Sequence, residues 1–400
     1  MIHVGIDGFK MINENYGWDY GDYILRETAS CILSCISDSQ KVYKIASDEF
    51  IILDTTSSDM TIASNLYDQI CKHINQFIEE NNFAAVFTIS AGILPLPDLS
   101  RTGYEEIIKR TDFSLTMAKQ HGRNCCYIFQ EEEYQNFLRI REITNELHSA
   151  VNHGFRGFSI IFQPVMDIRQ DKLTGAEMLI RFASKKFGPI SPAEFIPLLE
   201  TSGLIIPTGR WFMRETITAC RKIRMQIPDF KVNINVSQVQ ITKSDIITDL
   251  ISEMDASGLP PAAIVIELTE SILLEKNEKA QNFLKELKQA GLQLALDDFG
   301  TGYSNFHYLS ELHPDIVKID RGFTSKAITD KKEYYLEYYL LNQFSNMIHN
   351  LGLKLCIEGI ETEDELQKIK LLKPDYCQGF YWGRSCPYDE FRKHFVDVDR

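Results

Sequence analysis

Between Ser159 and Phe380 the sequence returns repeatedly to a short apolar run that closes on a polar residue, and any fold for this chain has to accommodate that repeat. The runs are SIIFQPV, GAEMLIRF, KVNINVS, AIVIELTE, LQLALDD, DIVKID, LKLCIE and DYCQGF, and most are separated by an amphipathic stretch long enough for a helix. Eight candidate strands alternating with helices predict an α/β fold, a (β/α)8 TIM-like barrel. Barrel enzymes place their chemistry at the C-terminal ends of the strands. Polar groups gather at those ends here: Asn235, Glu267, Asp297 with Asp298, Lys318, Glu358 and Gln378, while Glu177 lies inside its run.

Several carboxylates and an amide converging on one mouth make a hard, oxygen-rich site of high negative charge. With no His or Cys at these strand ends, the site suits Mg²⁺ or Mn²⁺ better than zinc. More carboxylates than one octahedral ion uses predict two ions, the usual device for activating a water and stabilising a leaving oxygen in phosphoester cleavage. Lys318 is placed to hold the attacking water or a phosphate oxygen, and Arg181 to grip a phosphate in a fork. Within LQLALDDFGTGYS, Leu292 to Ser304, the adjacent Asp297 and Asp298 stand where a strand meets a glycine-containing turn. Touching carboxylates in a partly buried position need a cation, a shared proton or solvent.

The chain carries 56 acidic against 42 basic residues, a net charge of −14, which argues against a nucleic-acid polymer or an anionic membrane surface as partner. Nine cysteines without a CxxC spacing predict reduced thiols and a cytoplasmic protein. No apolar run approaches the roughly 18 residues needed to span a bilayer, and MIHVGIDGFK does not read as a signal peptide. Residues 1–130 read as a separate α+β unit, with the strand HVGID, the hairpin KVYKIASDEFIILD, the strand AAVFTISAGILPL and helices between. Residues 131–151 have apolar positions at helical spacing and read as a linker helix, leaving 152–400 for the barrel.

In order, IDGFKMINENYGWDYGD, SDEFIIL, SAGI and AKQHGRN resemble the GGDEF domain, the diguanylate cyclase module of bacterial signalling proteins. The resemblance is to a degenerate, incomplete module. Ala46 and Ser47 replace the two glycines before Asp48, Glu49 and Phe50, and the family's first metal-binding aspartate falls at Gly5. Its inhibitory RxxD falls at Ser37 to Gln40 and is absent, and the chain begins inside the module. Asn13, Asp22, Asp48, Lys119 and Arg123 match positions the family uses for nucleotide or metal. The unit is therefore expected to be structural or regulatory, with weak GTP binding as its residual capacity.

The second half resembles the EAL domain, the cyclic di-GMP phosphodiesterase, through FQPV, AEMLIR, SPAEFIPLLE, INVS, IELTES, LALDDFGTGYSN, KIDRGF, IEGIET and QGF. The resemblance implies metal ligation by Glu177, Asn235, Glu267, Asp297, Asp298 and Glu358, and a water held by Lys318. It implies dinucleotide contacts from Gln163, Leu179, Arg181 and Gln378, a brace for the Asp-Asp loop from Glu270, and a homodimer through the barrel. Three departures stand out: Met178 where the family has Ala, a Tyr-rich stretch KKEYYLEYYLL longer than the pattern by about one helical turn, and GRSCP near the end. The expected reaction is opening of cyclic di-GMP to linear pGpG by in-line attack of an activated water. The alternative is a non-catalytic cyclic di-GMP receptor, although such relatives usually lose ligands and this chain keeps them. The Asp-Phe-Gly triplet at Asp298 to Gly300 lacks the glycine-rich loop and HRD motif of a kinase.

Overall fold

The computed structural model describes residues 1–55, 59–81, 87–96, 103–269, 278–300, 312–328 and 335–397. The chain divides into two compact units, Met1–Arg141 and Glu142–Arg400. The helix Glu131–Asn152 crosses this boundary in sequence, residues 131–141 falling in the first unit and 142–152 in the second. Its Tyr134 packs on Phe113 in the first unit, and its Ile143 and Leu147 join the core of the second. Among the described residues no helix is long and apolar enough to cross a membrane.

The first unit is a five-stranded sheet of β1 (Ile2–Ile6), β2 (Gln40–Lys44), β3 (Glu49–Asp54), β4 (Ile89–Ile93) and β5 (Cys126–Ile128), in the order β2-β3-β1-β4-β5. Alternation decides its faces. Ile2, Val4 and Ile6 point into a core shared with Ile24, Leu25 and Ile32 of the helix Trp18–Cys35 and with Ile70 and Ile74 of the helix Met60–Glu80. The intervening positions 3 and 5 face the helix Tyr104–Gln120: His3 meets Asp112, and Gly5 lies against Leu115 and Lys119.

The second unit is a closed barrel. Its strands are β6 (Phe158–Asp167), β7 (Lys172–Ser184), β9 (Lys231–Asn235), β10 (Ile264–Thr269), β11 (Gln293–Phe299), β12 (Ile316–Ile319), β13 (Lys354–Glu358) and β14 (Tyr376–Gln378). Two short strands, β8 (Gly188–Ile190) and β15 (Cys386–Pro387), pair at its margins. From β7 through β14 the barrel neighbours run parallel, but β6 is antiparallel to both β7 and β14 and closes the ring between them. The departure from eight repeats of strand and helix has a local cause. Only MDIRQDKLT separates the first two runs, and Asp167 accepts from the amides of Arg169 and Gln170 to turn the chain straight back into a hairpin.

Period-2 alternation sorts the barrel residues into an outer and an inner set. Ile264, Ile266, Leu268, Leu294, Leu296, Val317, Ile319, Leu355 and Ile357 pack outward against the helix layer. A separate inner cluster takes Val165, Val265, Ala295, Ile316, Cys356 and Tyr376 from six different strands. Two residues further along the parallel strands, the same inward face carries Glu267, Asp297, Lys318, Glu358 and Gln378. A dry apolar plug thus supports a polar layer above it.

Met178 belongs to the outer set, buried with 1% exposure in the cluster that holds Phe162, Phe212 and Ile234. It packs on the side opposite Glu177, as alternation along the strand requires. Met178→Ala should cost stability on the order of 2–5 kcal/mol in urea unfolding by leaving a cavity, while the inward Glu177 keeps its place.

Candidate active site

The ammonium of Lys318, 1% exposed, lies at the centre of the polar layer. Its Nζ is 2.8 Å from Glu267 Oε1, 2.8 Å from Glu358 Oε1, 3.1 Å from Asp297 Oδ1 and 3.4 Å from Glu177 Oε2. Those four carboxylates come from four different strands. Amides fix two of them: Asn235 Nδ2 donates to Glu177 Oε1 at 2.9 Å, Gln378 Nε2 to Glu177 Oε2 at 2.7 Å, and Asn233 Nδ2 to Glu267 Oε1 at 2.7 Å. Glu267 Oε2 and Gln378 Oε1 are buried with no hydrogen-bond partner among the described residues.

The electrostatics follow from one cation facing four anions in a water-poor place. Burial works against the Lys318 charge, but the carboxylates outweigh it and hold its pKa well above the usual lysine range. Burial pushes Glu177 up, yet Lys318 and the two amides more than offset that and leave it below the ordinary carboxylate value. Glu267 goes well up, through burial and the neighbouring Glu177 and Asp297 charges. Glu358 is raised to about 7, by burial first and then by Asp297 and Glu177 against the pull of Lys318.

Strand pairing explains the adjacent aspartates. β11 pairs with β12 at Leu296↔Val317 and next at Phe299↔Ile319, so one extra residue bulges between them. Asp298 takes a left-handed φ of 55° within the bulge. Neighbours that a regular strand would send to opposite faces thereby both line one cavity. Partial burial and the charges of Asp297 and Asp320 lift Asp298 to about 6.

That cavity, of about 300 Å³, is lined by Gln163, Glu177, Leu179, Asp297, Asp298, Lys318, Glu358 and Gln378, with Glu267 buried in the ring around Lys318. Arg181 and Asn235 line a neighbouring, more apolar cavity of about 560 Å³ that shares Leu179 with the first. Arg181 thus stands to one side of the carboxylate ring, its guanidinium donating to Ile180 O at 2.9 Å. Glu270, Thr301 to Ser304 and the start of the Tyr-rich stretch lie outside the described residues. Sequence reasoning passed over Asn233, although the KVNIN alternation puts it on the same face as Asn235. It also passed over Arg321 and Glu361, which pair at the cavity rim, and Phe380 beside them.

Residues 144–385 match the family described as EAL domain, and residues 1–125 match diguanylate cyclase, GGDEF domain. The chain belongs to the EAL domain family. Its EAL unit follows a GGDEF unit, and it is similar to the bifunctional diguanylate cyclase/cyclic di-GMP phosphodiesterase MucR of Pseudomonas aeruginosa, 28% identical over 98% of this chain and 56% of that protein. The cyclic di-GMP phosphodiesterase PdeR of Escherichia coli is 27% identical over 99% of this chain and 58% of its own length. The chain spans about half the length of the curated relatives it matches. A solved PaMucR phosphodiesterase in complex with c-di-GMP is 28% identical, with a TM-score of 0.56 over 62% of this chain and 99% of that one. An EAL domain protein from Listeria monocytogenes is 27% identical, with a TM-score of 0.54 over 64% and 98%.

In the GGDEF unit, Lys119 stands beside the position of the missing aspartate: a Cβ at Gly5 would lie 3.1 Å from its Nζ. That ammonium is 3.5 Å from Glu49 Oε1, and the buried His3 is 3.0 Å from Glu49 Oε2. Asp48 accepts from the Ser47 hydroxyl at 2.6 Å, Asp22 is exposed, and Asn13 Oδ1 is buried without a hydrogen-bond partner among the described residues. Arg123 is exposed on a turn with φ of 61°.

Removing the central ammonium of the EAL unit leaves its carboxylates uncompensated. Lys318→Met should destabilise the metal-free protein by about 3 kcal/mol or more at pH 8 in urea unfolding. The loss should shrink toward pH 5. Glu267 and Glu358 have raised pKa values in the fold, so the folded state takes up protons as pH falls and their repulsion disappears.

Proposed function

We propose that the EAL unit hydrolyses cyclic di-GMP to the linear dinucleotide pGpG with the help of two divalent cations, Mg²⁺ or Mn²⁺. The observation that carries this reading is the ring of Glu177, Glu267, Asp297 and Glu358 at one mouth of an EAL barrel, facing a single ammonium. Four carboxylates against one cation leave surplus negative charge, and Glu267 Oε2 is a buried acceptor without a partner among the described residues. The donors are oxygens, as a hard cation requires. The fit lies in the donor chemistry. Among the described residues no group of three or more His, Cys, Asp or Glu is arranged as a metal site, and the carboxylates surround Lys318 Nζ instead.

Glu177, Asn235, Glu267, Asp297, Asp298 and Glu358 would hold the ions, which when bound supply a water acidic enough to attack at neutral pH and charge to steady the leaving oxygen. Lys318 is suited to orient the attacking water or a phosphate oxygen. Glu358, whose Oε1 is 2.8 Å from the Lys318 ammonium, is placed to accept the proton of that water. Attack at phosphorus breaks the bond to the 3′ oxygen, which leaves as a hydroxyl and opens the ring. Gln163, Leu179 and Gln378 line the acidic cavity, and Arg181 would hold a phosphate or base at its flank, from the adjoining cavity. Relatives support the substrate: PdeR and MucR are cyclic di-GMP phosphodiesterases, and the solved PaMucR complex contains c-di-GMP.

Incubation with cyclic di-GMP and Mn²⁺, with products separated by chromatography, should yield pGpG. Intact nucleotide bound at measurable affinity would favour a receptor instead. Asp297→Asn should lower turnover by on the order of 100-fold or more without unfolding the barrel. For the GGDEF unit we propose a structural or regulatory role, because Lys119 and Glu49 pair beside a Gly5 that offers no carboxylate. With GTP and Mg²⁺ this unit should make no cyclic di-GMP, and calorimetry should detect at most weak GTP binding.

A further inference from the structure

The inner apolar cluster draws on six barrel strands, and β9 gives it nothing. The outward residues of β9, Val232 and Ile234, are buried and apolar, but its inward positions are Lys231, Asn233 and Asn235. Of these three only Asn233 is buried, with 8% of its surface exposed. It is level with Val265 of the apolar cluster on one side and with Glu177 on the other. An amide in that layer is costly unless it is hydrogen-bonded. Its Nδ2 reaches past Val265 to the next inward residue of β10 and donates to Glu267 Oε1 at 2.7 Å. Asn235 turns the other way and donates to Glu177 Oε1 at 2.9 Å, so one strand orients a carboxylate on each of its neighbours. Glu267 Oε1 already has Lys318 Nζ at 2.8 Å to compensate its charge. The second donor falls on that same oxygen, and Oε2 is left buried with no hydrogen-bond partner among the described residues.

We propose that Asn233 is a positioning residue for the divalent cation that Glu267 would hold: its amide and Lys318 together occupy Oε1, so that Oε2 stays free as the ligand oxygen. The proposal rests on the two-cation reading and deepens it at one residue. A carboxylate tied through one oxygen presents the other in a fixed direction, and such supporting hydrogen bonds govern metal affinity nearly as strongly as the ligands themselves. Without the amide, Lys318 alone holds Glu267, and a single ammonium accepts either oxygen. Ordering that side chain then becomes a cost of binding the cation. If the fold alone set position 233, valine would serve it better, extending the apolar cluster from Val265 with no amide to desolvate.

The test titrates Mn²⁺ into the metal-free full chain, with free Mn²⁺ read by electron paramagnetic resonance, and compares the unsubstituted protein with Asn233→Val, Asn233→Ala and Met178→Ala. Both Asn233 variants should bind at least one Mn²⁺ roughly 10–100-fold more weakly. Urea unfolding of metal-free Asn233→Val should stay close to that of the unsubstituted protein. In hydrolysis of cyclic di-GMP the Mn²⁺ concentration giving half-maximal rate should rise by the same factor, and saturating Mn²⁺ should recover kcat. Met178→Ala, which loses packing on the outward face of β7, should leave Mn²⁺ affinity unchanged; an equal loss there marks a general effect of destabilisation and overturns the assignment. Unchanged Mn²⁺ affinity in Asn233→Val overturns it too, whatever happens to kcat, and hydrolysis by the unsubstituted protein would then leave the hydrolase reading standing. Weakened Mn²⁺ binding in both Asn233 variants, with no hydrolysis by the unsubstituted protein, supports the positioning role and removes the hydrolase reading. An unsubstituted protein that binds no Mn²⁺ removes both.

Discussion

A single buried ammonium makes the polar layer of this barrel possible. Four carboxylates from four strands point at one place, and without Lys318 their mutual repulsion in a water-poor interior would set the strand ends against each other. The lysine compensates part of that charge, and burial together with the neighbouring anions raises the pKa values of Glu267 and Glu358. The proposed divalent cations would balance such a mouth, and an anionic substrate could approach it only with cations at hand.

The rest of the barrel holds this arrangement in place. Outward-facing Ile, Leu and Val bind the strands to the helices, and the inner cluster from Val165 to Tyr376 fills the bottom of the barrel. Side chains above that plug are positioned by backbone they cannot move, so the apolar layers determine the geometry of the polar one. The β11 bulge adds a local exception that turns two sequence neighbours into one cavity wall. At Gly359 the same tightness recurs, because a Cβ would strike Arg321 Cγ at 2.3 Å, just beyond Glu358.

The two units manage charge differently. Around Gly5, Lys119 and His3 meet Glu49, and His3 also approaches Asp112 at 3.4 Å, so the carboxylates there already have partners. The EAL unit has surplus in abundance, which is why the proposed chemistry resides there.

Much of this was legible in the chain itself. Apolar runs of period 2 ending in Asn235, Glu267, Asp297, Lys318, Glu358 and Gln378 determined a barrel and the rim at which its polar groups collect, because alternation assigns each residue to a face. Only tertiary structure decided the antiparallel course of β6, the bulge at Asp298, the separation of Arg181 from the acidic cavity, and the contributions of Asn233 and Phe380. Periodicity says which face a side chain takes, but not which strand end it meets. Glu177 contacts Lys318 and Gln378, residues 141 and 201 positions away, and the barrel's closure alone brings them together.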